Sequence, residues 1–120
     1  MRRFLIISSL ILVLACSTNS VPRGILSDKE IIPIIVDMHL AEGIYSQRYQ
    51  EKITRDNYQE DLYLSVIRKH KVDPRVLEAS LLYYGKFPEK YKPIYDEVLN
   101  KLHEEEMKIR VKDSIQRVKK

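Results

Sequence analysis

The sequence predicts an all-α domain, a small bundle of about four helices that follows an N-terminal leader and a short tether. Apolar residues recur at intervals of three and four through most of the chain, as on helices that bury one face. Proline or glycine signals separate these segments. No segment alternates apolar and polar residues for long enough to predict a strand. With 120 residues, the chain has room for a single folded domain.

The first 15 residues have the organisation of an export signal. Arg2 and Arg3 precede an apolar run from Phe4 to Leu14, which is shorter than the roughly 20 residues that a membrane-spanning helix needs. The run ends in Ala15 and Cys16, which resembles the lipobox of bacterial lipoproteins. That resemblance implies removal of residues 1–15 and a lipid anchor on Cys16. The alternative is an ordinary signal peptide cut near Ala15, beside an incidental cysteine.

Residues 16–26 are expected to comprise the lipidated cysteine and a flexible tether. The stretch that follows Cys16 is polar and contains Pro22 and Gly24, which is typical of a linker. It carries no acidic cluster directly after Cys16, such as surface-exposed lipoproteins often have, which favours a protein that faces the periplasm. The expected location is the cell envelope, with the lipid in the outer membrane. Cys16 is the single cysteine, so an internal disulfide is excluded and packing must stabilise the domain.

The first helix is expected to run from Asp28 to about Tyr49. Ser27 and Glu30 have the spacing of a capping box. Apolar residues occupy nearly the whole circumference of this segment, which predicts a central, buried helix. Pro33 lies in the second turn, where it would kink the helix or move its start to a later residue.

The second helix is expected to begin at about Thr54 or Asp56 and to end at His70. Several of its apolar residues share one arc, and a buried face is therefore expected. This arc consists of Tyr58, Leu62, Tyr63, Val66 and Ile67.

The third helix is expected to run from Pro74 to Tyr84. Asp73 supplies an N-cap immediately before a proline at the first helical position. Gly85 follows and suits a left-handed C-cap. The expected buried side comprises Val76, Leu77, Ser80, Leu81, Tyr83 and Tyr84.

The fourth helix is expected after Phe87, with a start near Pro88 or near Pro93. Its apolar stripe consists of Tyr91, Tyr95, Val98, Leu102 and Ile109. The whole helical domain is thus placed at residues 27–106.

A basic helical tail is expected at residues 107–120. Its apolar residues lie along one side: Met107, Val111, Ile115 and Val118. Its positive residues suit the C-terminal end of a solvated helix: Lys108, Arg110, Lys112, Arg117, Lys119 and Lys120. Contact with anionic lipid or with an acidic partner is the alternative interpretation.

The charge of the chain does not favour nucleic-acid binding. The formal net charge is +4, but two of the arginines lie in the expected leader, which leaves 19 basic and 17 acidic side chains. Nucleic-acid binding needs a clustered basic face, so no nucleic-acid partner is predicted.

Short motifs along the chain resemble those of a known family. In order, they are Ile25-Leu26, the run from Asp37 to Glu42, Ser80 with Tyr83-Tyr84, Pro88, and Ile94-Tyr95 with Val98 and Leu102. Together they cover about three quarters of the chain beyond the leader and resemble the Bacteroidota lipoproteins classed as domain of unknown function 4296. The resemblance implies a small, helical, membrane-anchored domain and supplies no catalytic residues.

Glu42 falls in the middle of the apolar stripe of the first helix. Because a buried carboxylate is costly unless it is hydrogen-bonded, we expect Glu42 to bond to Tyr83, Tyr84 or His70 and to fix the helix register. The alternative is a ligand or partner site with four members: His39, Glu42, Tyr83 and Tyr84.

The sequence predicts neither a metal site nor an active site. His39 and Glu42 could supply two metal ligands, but a metal site usually needs at least three. The chain has only three glycines and no recognisable nucleophilic set. No catalytic residue, and no cofactor beyond the lipid on Cys16, is therefore predicted.

Three functional hypotheses follow. The leading one is a non-enzymatic interaction or accessory module of the cell envelope, held to the membrane by lipid and bound to an envelope protein. The second is a small-ligand-binding lipoprotein, which needs a cavity of a few hundred Å³ near His39, Glu42 and Tyr84. The third and least favoured is an enzyme with His39 and Glu42 as an acid–base pair.

Overall fold

A computed structural model describes residues 21–51 and 57–119, and within these ranges the chain forms four helices and no strand. The helices are α1 (Asp28–Gln50), α2 (Tyr58–His70), α3 (Pro74–Lys86) and α4 (Pro88–Val118). The predicted all-α fold is confirmed. The expected leader and Cys16 lie outside the described residues. Among the described helices, none combines the length and the hydropathy that a membrane span requires.

Helix α1 begins with the predicted capping box. The backbone N–H and the hydroxyl of Ser27 both donate to Glu30 Oε2, at 2.8 and 2.7 Å. The hydroxyl and backbone bonds from Ser27 lower the pKa of Glu30. The helix passes through Pro33 without interruption, so the alternative of a later start is wrong. The cap and the fully buried Ile31 hold the first turn although Pro33 lacks an N–H.

A short turn joins α2 to α3, and the end of α2 and the start of α3 agree with the prediction. Helix α2 ends at His70, followed by Lys71 in the left-handed region with φ of 51°. Helix α3 begins at Pro74, and Asp73 accepts a hydrogen bond from the backbone N–H of Arg75 at 2.8 Å. The expected starts of α2 at residues 54 and 56 lie outside the described ranges, within which α2 begins at residue 58.

The predicted left-handed cap at Gly85 is wrong. Helix α3 continues through Gly85 to Lys86, and Gly24 is the one glycine in the described ranges with positive φ. Phe87, with φ of −125° and ψ of 77°, ends the helix. The residue before a proline is disfavoured in the helical region. Pro88 therefore ends α3, which was the role expected of Gly85.

The core consists of two clusters on either side of α1. One joins α1 to α3 and α4: Ile31, Ile35, Val36, Tyr84, Ile94 and Val98. The other joins α1 to α2 and α3: Ile34, Val66, Ile67 and Leu77. The segment before α1 packs against the first cluster through Val21 and Ile25.

Helices α2 and α4 both run antiparallel to α1. The ring of Tyr45 stacks on that of Tyr58, at the opposite end of the helix pair from the bond between Asp37 and His70. On the other side of α1, the ring of His39 contacts that of Tyr95, whereas the earlier Ile31 shares a cluster with the later Val98. The C-terminal part of α4 therefore leaves the bundle at the end where the chain enters.

The last buried residue of α4 is Val98, and residues 106–119 are all exposed. The tail expected at residues 107–120 continues α4 as one uninterrupted helix to Val118. Residue 120 lies outside the described part of the chain.

Candidate functional site

An open cleft of about 320 Å³ lies between α1 and α2 near the loop that joins them. Its floor is apolar, whereas tyrosines and several polar side chains form its rim. The lining residues are Ile35, Met38, His39, Ala41, Glu42, Tyr45, Gln59, Leu62, Tyr63, Val66, Leu81 and Tyr91.

The structure brings two of the four predicted site residues to this cleft. His39 and Glu42 both line it, with His39 Nδ1 at 3.8 Å from Glu42 Oε2. That distance is too long for a hydrogen bond. Tyr83 and Tyr84 are not among the residues that line the cleft.

The expected burial of Glu42 is wrong, because its side chain is 71% exposed. The buried residues of α1 all lie in its first ten positions, between Ile31 and Val36, where α3 and α4 also pack. The apolar stripe continues beyond that region, but the bundle no longer covers it. Water therefore solvates the charge of Glu42, so the free-energy cost of that charge is small. Glu42 does not form the expected bond to Tyr83, Tyr84 or His70.

Tyr84 instead holds the backbone of the segment that precedes α1. Its hydroxyl donates to the carbonyl of Leu26 at 2.8 Å. One turn earlier, the hydroxyl of the fully buried Ser80 accepts from the N–H of Leu26 at 2.8 Å and donates to the carbonyl of Val76 at 2.6 Å. Burial, together with the charges of nearby Asp28 and other groups, raises the pKa of Tyr84. Ser80 and Tyr84 thus have a structural role.

Tyr83 points to a different surface from its neighbour Tyr84. Its hydroxyl accepts a hydrogen bond from Lys90 Nζ at 2.6 Å. The same ammonium lies 5.1 Å from the ring centroids of both Tyr83 and Phe87. Tyr83 therefore belongs to the turn between α3 and α4, and the predicted four-residue site is divided among three places.

A polar contact that the sequence interpretation missed joins α1 to the end of α2. Asp37 Oδ2 accepts hydrogen bonds from His70 Nε2 at 2.6 Å and from Lys69 Nζ at 2.7 Å. The side chains of Asp37 and His70 are only 18% and 17% exposed. Partial burial raises the pKa of Asp37, but the bonds and charges of Lys69 and His70 outweigh it, so the pKa lies below the ordinary value.

The spacing of Asp37 and His70 is the signal that could have revealed this contact. The two residues lie at nearly equal distances, along the chain, from the loop between α1 and α2. In an antiparallel helix pair, residues equally far from the connecting loop come face to face. The contact stabilises the pairing of α1 with α2 and supports the wall of the cleft, although neither residue lines it.

Aromatic contacts extend along the rim of the cleft. The ring of His39 lies edge-on to that of Tyr95, at 6.2 Å between centroids, and Tyr95 packs beside Tyr91 at 5.6 Å. On the opposite side, Tyr45 stacks on Tyr58 at 6.5 Å. Among residues 21–51 and 57–119, no three His, Cys, Asp or Glu side chains come together as a possible metal site. The cleft is suited to binding an apolar group next to a carboxylate.

In the comparison with family models, the family described as Domain of unknown function (DUF4296) matches residues 22–108. The match begins at the segment held by Ser80 and Tyr84 and ends where α4 has left the bundle. No curated protein and no solved structure matches this chain.

Proposed function

The chain belongs to the DUF4296 family, and on that premise we propose that it is a lipid-anchored, non-enzymatic accessory module of the cell envelope. It binds a partner protein through the cleft between α1 and α2. The lipobox-like sequence before Cys16 supports the anchor. The cleft supports the binding role.

The observation that carries the binding role is an apolar cleft with an aromatic rim, which no part of residues 21–51 and 57–119 fills. Protein interfaces are typically apolar at the centre, with tyrosine enriched and a polar rim around it. Here Leu62 and Val66 contribute to the floor, while Tyr45 and Tyr63 stand at the rim beside Glu42. The matching partner segment presents bulky apolar side chains next to a basic group, as an amphipathic helix does.

Crosslinking in the native membrane tests this role. A photo-crosslinking amino acid in place of Glu42 is expected to give a discrete adduct with one envelope protein. The matched control carries the same amino acid in place of Arg75 on α3, whose side chain is 90% exposed and outside the cleft. Identical adducts from both positions, or none from position 42, would contradict the proposal.

A small apolar ligand is the second candidate occupant, because the volume of about 320 Å³ falls at the lower end of ligand pockets. Native mass spectrometry of the protein released from membranes in mild detergent distinguishes the two. A ligand carrier would show an additional bound mass that Leu62→Trp, which places a bulkier side chain in the cleft, reduces or abolishes. A module that binds protein would show the mass of the chain alone.

A further inference from the structure

The exposed end of α4 carries a second apolar face. Beyond the bundle, five apolar side chains are about half exposed or more; Ile109 lies on another side of the helix, and the remaining four form one stripe: Met107, Val111, Ile115 and Val118. At 100° per residue they fall within an arc of about 80° on one side of the helix. Lys108, Lys112 and Lys119 follow along one edge of this stripe.

The bundle does not cover this face, because it points away from the core. The residues of α4 that pack on α1 and α3 are centred on Ile94, Val98 and Leu102. The tail stripe is rotated from them by roughly 150° around the same straight helix. The tail stripe is therefore a separate apolar surface from the face of α4 that packs in the core, and anything that covers it must come from outside the bundle.

Charge favours an anionic occupant for this surface. Lys108 pairs with Glu105 and Arg110 pairs with Glu106, both at 2.6 Å. These pairs are exposed and weak, so they are readily exchanged. Three further cations form no ion pair with any described residue, namely Lys112, Arg117 and Lys119. Asp113 is the only carboxylate within residues 107–119.

The direction of α4 places this surface beside the expected anchor. Helix α4 runs antiparallel to α1 and leaves the bundle where Val21 packs on the first cluster. Even fully extended, the chain from Cys16 to Val21 spans at most about 17 Å. The helix from Leu102 to Val118 extends about 24 Å. A lipid on Cys16 would therefore hold this end of the bundle closer to the bilayer than the tail is long, which brings the tail within reach of the bilayer surface.

We propose that residues 107–119 lie in the headgroup region of an anionic phospholipid membrane, with the apolar stripe toward the acyl chains and the lysines near phosphate groups. The position of the tail relative to the bilayer rests on the proposed lipid anchor. The cleft, which lies toward the opposite end of the bundle, then faces the aqueous compartment. The tail thus orients the domain for its partner.

The experiment uses the full chain, processed in cells, purified in detergent and reconstituted into vesicles. One set of vesicles is phosphatidylcholine alone and the other an equimolar mixture with phosphatidylglycerol. Because Cys16 is the single cysteine and lipid would block its thiol, an environment-sensitive fluorophore reports only from an introduced cysteine. Ile115→Cys places it on the stripe, and the matched control Asp113→Cys places it about 160° away.

The label at position 115 is expected to show a blue-shifted emission and quenching by brominated lipid on the mixed vesicles. The label at position 113 should emit as in water. Lys112→Glu with Lys119→Glu should reduce the shift. Emission as in water from position 115 on the mixed vesicles overturns the proposal. So does a shift that needs no vesicles and grows with protein concentration, which indicates pairing with a second copy.

The same samples also test, independently, whether Cys16 carries lipid. Labelling of Cys16 itself, or failure of the chain to remain with phosphatidylcholine vesicles, would contradict the proposed lipid and not the tail contact. In that case the label at position 115 is read in a chain that also carries Cys16→Ser, and its emission on the mixed vesicles decides whether the tail binds anionic lipid.

Discussion

Two side chains of α3, Ser80 and Tyr84, determine where the chain enters the bundle. Together they satisfy both backbone groups of Leu26, the N–H and the carbonyl. A backbone group that is shielded from water without a partner is costly. Ser80 and Tyr84 therefore fix the segment that connects the domain to the expected anchor.

Removal of these hydroxyls should destabilise the protein. Ser80→Ala and Tyr84→Phe are each expected to lower the free energy of unfolding by about 1–3 kcal/mol, because each leaves one group of Leu26 unpaired. Tyr83→Phe is the matched control, since its hydroxyl bonds only to an exposed lysine. Urea denaturation measures all three. Equal effects of the substitutions at positions 83 and 84 would contradict this role.

Asp37 is expected to make stability depend on pH. Its pKa in the folded state lies below the ordinary value of 3.8. Its ionised form therefore stabilises the fold fully above that value, and the effect is lost as the pH falls through the folded pKa. Asp37→Asn should cost about 1–2 kcal/mol at neutral pH, and its difference from the wild type should shrink in acid.

Denaturation of both proteins between neutral pH and pH about 2 measures this difference. Lys69→Ala is the comparison, because it removes one of the two partners of Asp37; since Lys69 is 67% exposed, its loss should cost less than Asp37→Asn, about 0.5–1 kcal/mol. A difference between Asp37→Asn and wild type that stays constant over the whole range would show that the carboxylate charge is not involved.

At the residue scale, the sequence predicted local contacts better than distant ones. The bonds of Ser27 with Glu30 and of Asp73 with the next turn depend on neighbours in the chain, so spacing alone identifies them. The exposure of Glu42 depends on how far the other helices extend along α1. Helical periodicity predicts the side of a helix on which a residue lies. It does not predict how far along that helix the neighbouring helices extend.

At the scale of elements, alanine substitutions at two glycines are expected to change the free energy of unfolding in opposite directions. Gly85 is helical, and a Cβ there would meet nothing within 4 Å. Gly85→Ala is therefore expected to raise the free energy of unfolding by about 0.5–1 kcal/mol, since alanine loses less backbone entropy. Gly24→Ala is the contrasting variant, because Gly24 has φ of 81°. If thermal unfolding showed that Gly85→Ala destabilises the protein, that result would instead support the left-handed cap that the sequence predicted at Gly85.

The tail of α4 should be dispensable for folding. Residues 107–119 are all exposed and lie outside both core clusters. A chain that ends after Glu106 is expected to keep its free energy of unfolding within about 0.5 kcal/mol. A large loss, measured by urea denaturation in solution without membranes, would show that the tail packs on the bundle.

Helix limits followed from the sequence where a polar cap decided them, as at Ser27 and Asp73. They did not follow where two signals competed. Gly85 and Pro88 both indicate a helix end, and the packing of Tyr84 in the core favoured the later one. The continuity of α4 into the basic tail likewise reflects good helix formers with no stop signal between residues 94 and 118.

On the scale of the whole molecule, the four helices place Val21 and the tail of α4 at one end and the cleft toward the other. The sequence predicted the number of helices and a central α1. It named a cavity near His39, Glu42 and Tyr84 only as a requirement of the ligand-binding hypothesis, and the cleft includes the first two of these residues. Its lining could not be predicted, because that space depends on how α2 and α4 pack on opposite sides of α1. The order of contacts, with Asp37 opposite His70 and Tyr45 opposite Tyr58, fixes this arrangement.

The central claim, that lipid on one thiol holds this polarised domain at a membrane, is tested most directly by mass spectrometry of the protein isolated from its own membranes. The account predicts that the first residue of the mature chain is Cys16 and that this residue carries acyl groups. A Cys16→Ser variant should lack that mass and leave the membrane fraction. An unmodified Cys16, or a peptide in which Cys16 is still joined to Ala15, would contradict the account.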